Sequence, residues 1–254
     1  EIIKKIKFLE GFMTKAPYDT ISQNYTDLVK NDPAKQFVQY PSALNLLGDV
    51  SQKTILDVGC GSGIFDRELA RRGAIVTGYD VSSKQIAHAK KSEETESLGI
   101  QYLVSDPSEF QTTEKFDKAV SVLVLHYARD KKHLAQFFFS TCQALKDNGK
   151  FVCILVNPNF KRLGQSVYNR RFIKLHSGKM QVDFLDKNQQ ISCSAEYSDF
   201  STADYEQAAI NGGFRSVKWI HLKVEKAGLQ KMGQSYWQGF EEDCLYIGFI
   251  AYKK

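Results

Sequence analysis

Short runs of apolar residues alternate with amphipathic segments between residues 54 and 156. The apolar runs predict five buried strands, at residues 54–58, 74–80, 100–104, 118–125 and 150–156. The segments between them have apolar residues at helical spacing and capping residues, and they predict helices over residues 63–72, 82–97 and 130–146. Strands that are apolar throughout and alternate with helices are typical of a parallel sheet covered on both faces.

The alternation stops after residue 156. Loops in such folds usually have about 2–6 residues, so residues 158–200 are predicted to form an insertion after the fifth strand. Its second half predicts two extended segments around a turn at residues 186–190. A helix from Ser201 and strands at residues 216–224 and 244–253 follow, and we expect these last strands to pair antiparallel at one edge. The predicted fold is α/β, a doubly wound seven-stranded, mostly parallel sheet with an antiparallel edge strand.

Composition narrows the class of protein. The chain has 254 residues, 43% hydrophobic and 25% charged, as in ordinary globular proteins, and no apolar run approaches the ~20 residues that cross a bilayer. Residues 1–15 look like a leader or a tag but have no apolar region and cleavage site of a secretory signal. A net charge of +5 permits anionic partners without requiring them. We expect neither a membrane nor a nucleic acid as partner.

The five cysteines are scattered and never spaced as C-x-x-C. This pattern disfavours a disulfide framework and a structural zinc site, and it favours a reducing compartment such as the cytoplasm. No other group of residues has the spacing of metal ligands, so no metal site is predicted.

The stretch TILDVGCGSG, residues 54–63, places Asp57 before Gly59, Gly61 and Gly63 at the end of the first strand. A glycine-rich turn between a strand and a helix lets a ligand approach the backbone. The dinucleotide-binding fingerprint needs a further glycine where this chain has Ile64, and no phosphate-binding G-K-[ST] sequence is present. The turn is therefore expected to bind a nucleoside cofactor of another kind.

This stretch resembles motif I of the class I S-adenosylmethionine-dependent methyltransferases. The resemblance continues, in order, through Tyr79–Asp80, SDPSEF at 105–110, the segment 116–130 and ALKDNGKFV at 144–152. It implies S-adenosylmethionine as cofactor and S-adenosylhomocysteine as product.

The same resemblance implies a role for each motif residue. The backbone at Gly59 would accept from the methionine ammonium, Asp57 would order the loop, and Gly61 and Gly63 would keep side chains off the cofactor. Asp80 would bind the ribose hydroxyls and Asp106 the adenine amino group. The remaining implied cofactor contacts are Tyr25, Cys60, Val81, Pro107 and Val122.

Pro107 departs from the motif, because in many relatives the residue at this position donates its backbone N–H to the adenine ring and proline has none. Ser108 or water would have to replace that donor, or the adenine would sit differently. Cys60 lies inside the loop, where small-residue packing competes with an activated thiol as its role.

A looser resemblance covers most of residues 16–254. The segments 16–28 and 39–50, together with LHYARD, VNPNF and the C-terminal region, are similar to the toxoflavin-synthase-like enzymes, which methylate ring nitrogens of a planar azaheterocycle. It implies N-terminal lid helices over 16–50, a methyltransferase domain over 51–254 and a substrate cap at 158–200. The implied acceptor is a small planar molecule, methylated on nitrogen rather than oxygen, and the implied substrate contacts are Tyr18, Tyr40, Asn157 and Trp237.

His126 and Tyr127 follow the fourth strand, where a bound substrate would pass, and are the candidate catalytic residues. His126 could be a general base or a structural hydrogen-bonding group. Methyl transfer from a sulfonium needs no protonation of the leaving group, so alignment alone can supply roughly 7–11 kcal/mol. The absence of a catalytic triad from the sequence fits this chemistry.

Two other functions stay open at this level. A basic segment at 161–179 contains no acidic residue; it is expected to be solvated and mobile, but it could instead contact an anion or a nucleic acid. A nucleic-acid methyltransferase would need an N-P-P-[YF]-type sequence after the fourth strand, and this chain has none there. A non-catalytic adenosylmethionine-binding protein is the third alternative.

Overall fold

The computed structural model describes residues 32–176 and 178–254. Its strands are, in chain order, β1 (Thr54–Val58), β2 (Ile75–Asp80), β3 (Gln101–Val104), β4 (Phe116–Val122), β5 (Leu145–Val156), β6 (Ser166–Val167), β7 (Arg170–Lys174), β8 (Lys179–Leu185), β9 (Ile191–Ser198), β10 (Ser216–His221) and β11 (Tyr246–Tyr252). Its α-helices are α1 (Tyr40–Leu47), α2 (Ile64–Arg71), α3 (Ser83–Thr95), α4 (Lys131–Ala144), α5 (Thr202–Asn211) and α6 (Lys226–Met232). A π-helical turn at Lys35–Gln39 precedes α1, and 3₁₀ turns lie at Leu125–Tyr127 and Gln234–Trp237.

Seven strands form the central sheet in the order β10-β11-β5-β4-β1-β2-β3. The strands β1 to β5 pair in parallel, whereas β11 is antiparallel to both β5 and β10. The predicted doubly wound α/β sheet is confirmed, and so is the antiparallel pair at its edge. The chain runs outward from β1 to β3 and then returns to β4, so the strand order reverses between β1 and β4. Ligands of open α/β sheets bind at such a reversal.

Local sequence signals explain where the helices begin. Ser82 caps α3 by accepting a hydrogen bond from the N–H of Gln85 at 3.2 Å. Ser201 and Asp204 form a reciprocal capping box at the start of α5. The helix α2 instead starts at Gly63, whose φ of 75° lies in the left-handed region that favours glycine.

The central sheet has an apolar core on each face. The core on one side includes residues of α1, α2 and α3, among them Leu47, Phe65 and Ile86. The core on the other side includes residues of α4 and α5, such as Phe138 and Tyr205. The sheet is therefore covered on both faces, as its apolar strands require.

The helix α1 packs on the sheet. The Lys150 ammonium of β5 donates to the carbonyl of Leu46 at 2.7 Å, and Tyr40 stacks on Phe65 with ring centroids 5.0 Å apart. This part of the predicted lid thus belongs to the wall of the domain. The remainder, residues 16–31, lies outside the described residues, as does the predicted leader at 1–15.

Residues 158–200 do form an insertion with a sheet of its own, in the antiparallel order β6-β7-β8-β9. The predicted turn at 186–190 joins β8 to β9, and the Asp186 carboxylate accepts from the N–H groups of Asn188 and Gln190, both at 2.8 Å. The pattern missed β6, which has only two residues, and β7, whose sequence RRFIK contains only two apolar residues.

The basic segment 161–179 is solvated only in part. It contains β7, where Arg170 is only 7% exposed and forms an ion pair with the equally buried Asp32. Further pairs join Arg171 to Asp183 at 2.9 Å and Lys174 to Asp199 at 2.7 Å. The basic side chains stabilise the insertion because acidic partners from other parts of the chain reach them.

Among the described residues no helix combines the length and the apolar character needed to span a bilayer.

Candidate functional site

A cleft of about 290 Å³ opens at the carboxyl ends of the central parallel strands, next to the reversal between β1 and β4. The floor and one wall come from the loops after β1, β2, β3 and β4, and the opposite wall comes from the insertion. Its lining residues are Gly59, Tyr79, Asp80, Val81, Ser105, Asp106, Pro107, Val124, Tyr127, Arg129, His133, Phe137, Lys179, Glu196, Tyr197 and Ser198. The structure thus gathers the motif residues Gly59, Asp80 and Asp106 in one site.

Backbone N–H groups of the glycine loop after β1 donate hydrogen bonds to residues of β2. The N–H groups of Gly59 and Cys60 both donate to the carbonyl of Tyr79, at 2.8 and 3.0 Å, and that of Gly61 donates to the Asp80 carboxylate at 3.0 Å. A loop that holds phosphate needs free N–H donors. Because these donors are already bonded, the geometry disfavours a pyrophosphate ligand, in agreement with the missing dinucleotide fingerprint.

The loop has little room for side chains. Gly59 has a φ of 79°, and a Cβ there would lie 2.5 Å from the side chain of Val124. At Gly63 a Cβ would lie 2.2 Å from the hydroxyl of Tyr102. These close approaches, together with φ values of 79° and 75°, account for glycine at two of the three positions.

Asp80 ends β2 at the wall of the cleft. Its carboxylate accepts from the N–H of Gly61 at 3.0 Å and from that of Ser82 at 2.8 Å. The carboxylate therefore has a fixed position between the glycine loop and the start of α3, with the half-exposed Val81 beside it.

Asp106 follows β3 and is held by several donors. Its Oδ1 accepts from the N–H and the hydroxyl of Ser108, at 2.8 and 2.5 Å, and lies 3.1 Å from Nε2 of His133. Partial burial opposes ionisation, but the hydrogen bonds from His133 and Ser108 hold the pKa of Asp106 well below its usual range. Arg129 adds a more distant contact, with 3.5 Å between its guanidinium and Oδ2.

The backbone N–H of Ser108, one of the expected replacements for the donor that Pro107 lacks, donates to Asp106 Oδ1 at 2.8 Å. Pro107 lines the cleft.

Asp57 lies beneath the loop and does not line the cleft. It is 2% exposed and faces Asp66 of α2, which is fully buried. Burial raises the pKa of Asp57 well above its ordinary value and that of Asp66 to about 7. Cys60 is also buried against Asp66, and burial raises the pKa of its thiol, so this cysteine is a neutral packing group and not an activated nucleophile.

His126 and Tyr127 are neighbours with different surroundings. Tyr127 lines the cleft, whereas His126 is 4% exposed and lies behind it, with its ring 4.4 Å from that of Tyr127 and 4.8 Å from that of Tyr197. Burial lowers the pKa of His126 to about 3, so the imidazole is neutral at physiological pH. No described residue forms a hydrogen bond with its Nδ1.

A second, smaller cavity of about 80 Å³ lies under the insertion sheet. His126, Asn157 and several aromatic rings line it, and Tyr197 and Ser198 line both this cavity and the cleft. A third pocket of about 30 Å³ adjoins His126, Tyr127 and Tyr197 from the other side. The strand β9 therefore forms the partition between the cleft and the space beneath the insertion.

Several predicted site residues lie elsewhere. Trp237 is 4% exposed and donates its indole N–H to the Gly228 carbonyl at 3.0 Å, which is a packing role. Tyr40 stacks on Phe65, and Val122 packs against the core. Asn157 lines the smaller cavity, with its amide nitrogen 2.8 Å from the Cys244 carbonyl. Tyr18 and Tyr25 lie outside the described residues.

The sequence interpretation missed the cleft residues Arg129, His133, Lys179, Tyr197 and Ser198. The last three belong to the insertion, whose position over the cleft has no local signature. His133 had one weak signal, since it lies three residues after the helix cap Asp130 and so at the first turn of α4, beside the cleft. In residues 32–176 and 178–254 no three His, Cys, Asp or Glu side chains are grouped to hold a metal ion.

Comparison with known proteins supports the same class of fold and domain. Residues 55–149 match the profile of the family described as a methyltransferase domain. A ubiquinone biosynthesis O-methyltransferase of Bradyrhizobium diazoefficiens is 29% identical over 159 residues, which cover 62% of this chain and 60% of that protein. The match to this curated relative thus spans about three fifths of its length.

Solved structures resemble the whole domain. An S-adenosylmethionine-dependent methyltransferase of Mesorhizobium loti has a TM-score of 0.62 and 22% identity, over 85% of this chain and 97% of that one. Another, of Clostridium acetobutylicum, has a TM-score of 0.65 and 16% identity, over 93% and 98%. These similarities confirm the predicted class I methyltransferase fold.

Proposed function

We propose that this protein is an S-adenosylmethionine-dependent methyltransferase that acts on a small molecule. The proposal depends chiefly on the cleft, where Gly59, Asp80 and Asp106 line one continuous space at the strand reversal. The match of residues 55–149 to a methyltransferase domain supports it.

The residues of the cleft fit this cofactor. Asp80, held by two backbone N–H groups, is positioned to accept from the ribose hydroxyls, and the ionised Asp106 is an acceptor for the adenine amino group. A ligand can approach the backbone closely at Gly59, but the N–H groups of this loop are already hydrogen-bonded within the chain. This arrangement suits an aminoacyl nucleoside better than a diphosphate, which needs several N–H donors. When bound, the cofactor supplies a methyl group on a positively charged sulfur.

The acceptor is proposed to enter beside Tyr127 and Tyr197, where the cleft meets the cavity under the insertion. The rings of Phe160, Phe172 and Tyr205 also line that cavity and suit a planar, largely apolar molecule. The insertion at 158–200 would then act as the substrate cap, and the chain's own contribution to the rate would be alignment of the two reactants and exclusion of water.

Nitrogen is the proposed methyl acceptor, as in the toxoflavin-synthase-like enzymes that the sequence resembles. A ring nitrogen with a free lone pair needs no base, and His126, buried and with its pKa lowered to about 3, is a poor one. The neutral imidazole is more suited to orienting an acceptor through a hydrogen bond.

Oxygen is the alternative acceptor atom, because the curated relative is named an O-methyltransferase. A phenol would have to lose its proton, so this reaction would require a base, for which the Glu196 carboxylate in the cleft lining is a candidate. Incubation with S-adenosylmethionine and matched panels of azaheterocycles and phenols, with mass detection of the product, tests the two against each other.

A nucleic-acid substrate is less favoured. The basic residues of 161–179 that would contact phosphates form ion pairs within the chain, such as Arg171 with Asp183 and Lys174 with Asp199. Binding of RNA or DNA that weakens steeply with salt, accompanied by methyl incorporation, would support that alternative instead.

A further inference from the structure

Two buried carboxyl groups lie side by side beneath the glycine loop. Asp57 is in register with Gly78 on the neighbouring parallel strand, so the two residues point to the same face of the sheet. Gly78 has no side chain, and the Asp66 carboxyl of α2 fills that space: a Cβ at Gly78 would lie 2.6 Å from its Oδ2. The absence of a side chain at position 78 is what allows Asp66 to reach Asp57.

The pair lacks the partners that buried carboxylates normally have. Asp57 and Asp66 are 2% and 0% exposed, and neither has an ion-pair partner in the described part of the chain. One oxygen of Asp57 and both of Asp66 have no donor other than the carboxyl pair itself and the nearby Cys60 thiol. Two bare carboxylates in contact at such a site would repel each other, so one proton between them stabilises the arrangement.

The ionisable groups around the pair leave Asp57 and Asp66 as the side chains that gain or lose a proton in this region. Cys60 from the loop and Tyr102 from β3 are neutral, because burial raises the pKa of both. Burial raises the pKa of Tyr79 in the same way. Asp80 is the next carboxylate toward the cleft, and its charge acts on both members of the pair. On the other side Arg67 is bonded to Glu93 at 3.0 Å.

We infer that Asp57 and Asp66 form a proton-sharing pair whose ionisation adds a negative charge beneath the glycine loop and so selects the positively charged cofactor over its uncharged-sulfur product. This inference rests on the proposed function. The two ligands differ by the sulfonium charge, and the pair lies under the glycine loop, with Asp57 two residues before Gly59, which lines the cleft. An added charge below the loop therefore favours S-adenosylmethionine over S-adenosylhomocysteine.

The sign of the effect follows from linkage. Loss of one proton from the doubly protonated pair as the pH rises leaves a single shared proton and one negative charge, so affinity for the cation increases relative to the product. By reciprocity, binding of the cation favours loss of the proton. The expected change in the ratio of the two dissociation constants is about fourfold, the effect of one charge at an assumed separation of roughly 10 Å and an effective dielectric constant of about 40.

Calorimetric titration of the full chain with each ligand at pH 6, 7 and 8 tests the inference. In the wild type the ratio of the Kd for S-adenosylhomocysteine to that for S-adenosylmethionine should rise with pH. Asp66→Asn should remove most of that rise. Glu68→Gln is the matched control, because it deletes one carboxylate from the exposed face of the same helix, where Glu68 pairs only with Arg72 at 2.8 Å.

Titration of the free ligands' own amino groups is common to every variant, so the difference between variants isolates the pair. Asp66→Ser is the second variant should the asparagine fail to fold, with thermal melting as the check on both. An unchanged pH dependence of the ratio in a folded Asp66 variant would overturn the inference. No binding of either ligand by the wild type at any pH would instead refute the proposed function itself.

Discussion

The imidazole of His133 forms hydrogen bonds with both the backbone N–H of Arg129 and the carboxylate of Asp106. Its Nδ1 accepts the N–H of Arg129 at 3.2 Å, which places the ring proton on Nε2, 3.1 Å from Asp106 Oδ1. Nε2 of the imidazole therefore donates to Asp106 and fixes the orientation of the carboxylate at the cleft. Asp106 is the proposed adenine acceptor, so the relationship links a residue that the sequence did not single out to the binding of the cofactor.

His133→Ala should weaken binding of S-adenosylmethionine by about 1 kcal/mol, or roughly fivefold, because Asp106 loses a hydrogen bond that orients it. Calorimetry on the purified variant measures this change. His88→Ala, on the exposed surface of α3, should leave the affinity unchanged. Equal affinities for wild type and His133→Ala would contradict the role assigned to His133.

Asp80→Ala should weaken cofactor binding by about 1.5–3 kcal/mol, because a charged acceptor for the ribose hydroxyls is lost. Asp117→Asn is the control: this carboxylate lies at the start of β4 and bonds to Thr54 and Lys146, at the opposite end of the sheet. If Asp80→Ala binds the cofactor as tightly as the control does, Asp80 does not face the ribose.

His126→Gln should lower kcat by less than about 100-fold, the lower limit for loss of a true general base. The physical reason is that the imidazole is buried and neutral, with its pKa lowered to about 3. The pH profile of kcat should accordingly show no step near pH 6–7 that disappears in the variant. Tyr197→Ala should reduce kcat/KM at least as much, because the partition between cleft and cavity is lost.

A loss well above about 1,000-fold for His126→Gln, with cofactor affinity intact, would establish a base. That result would point to an acceptor that must lose a proton, such as a phenol.

The buried carboxyl pair predicts an unusual pH dependence of stability. Burial raises the pKa of Asp57 well above its ordinary value and that of Asp66 to about 7, so the folded state binds more protons than the unfolded state. Retention of the Asp66 proton should therefore make the free energy of unfolding fall by at most about 1.4 kcal/mol per pH unit between about pH 4 and 7, and this contribution levels off above pH 7. Denaturation across this range should show a flatter curve for Asp66→Asn, and parallel curves would contradict the shared proton.

The ion pair between Arg170 and Asp32 should anchor the insertion. Arg170→Met leaves a buried carboxylate without its cation and should destabilise the protein by about 3–5 kcal/mol. The double variant Asp32→Leu, Arg170→Met should recover much of that loss. Lys174→Met is the control, because the ion pair between Lys174 and Asp199 is more exposed to solvent and should contribute at most about 1 kcal/mol to the free energy of unfolding. Urea denaturation measures these variants together with Asp32→Leu, which completes the cycle, and additivity of the two single changes in the double variant would exclude coupling.

The sequence by itself determined the central sheet and the position of the cofactor site within it. Continuous apolar runs can be buried only in covered parallel strands, and the glycines after β1 mark the turn at which a ligand meets the backbone. These are local signals, set by neighbouring residues. They were therefore visible before the fold was known.

Only the tertiary structure decided which distant residues share the site. His133 reaches Asp106 because α4 packs beside the end of β3, and Asp66 reaches Asp57 because Gly78 leaves room between strand and helix. Tyr197 lines the cleft because the insertion folds back over it. The burial of His126, which lowers the pKa of its imidazole, depends on the same packing. Periodicity and spacing carry no information about such contacts, since packing between elements far apart in the chain creates them.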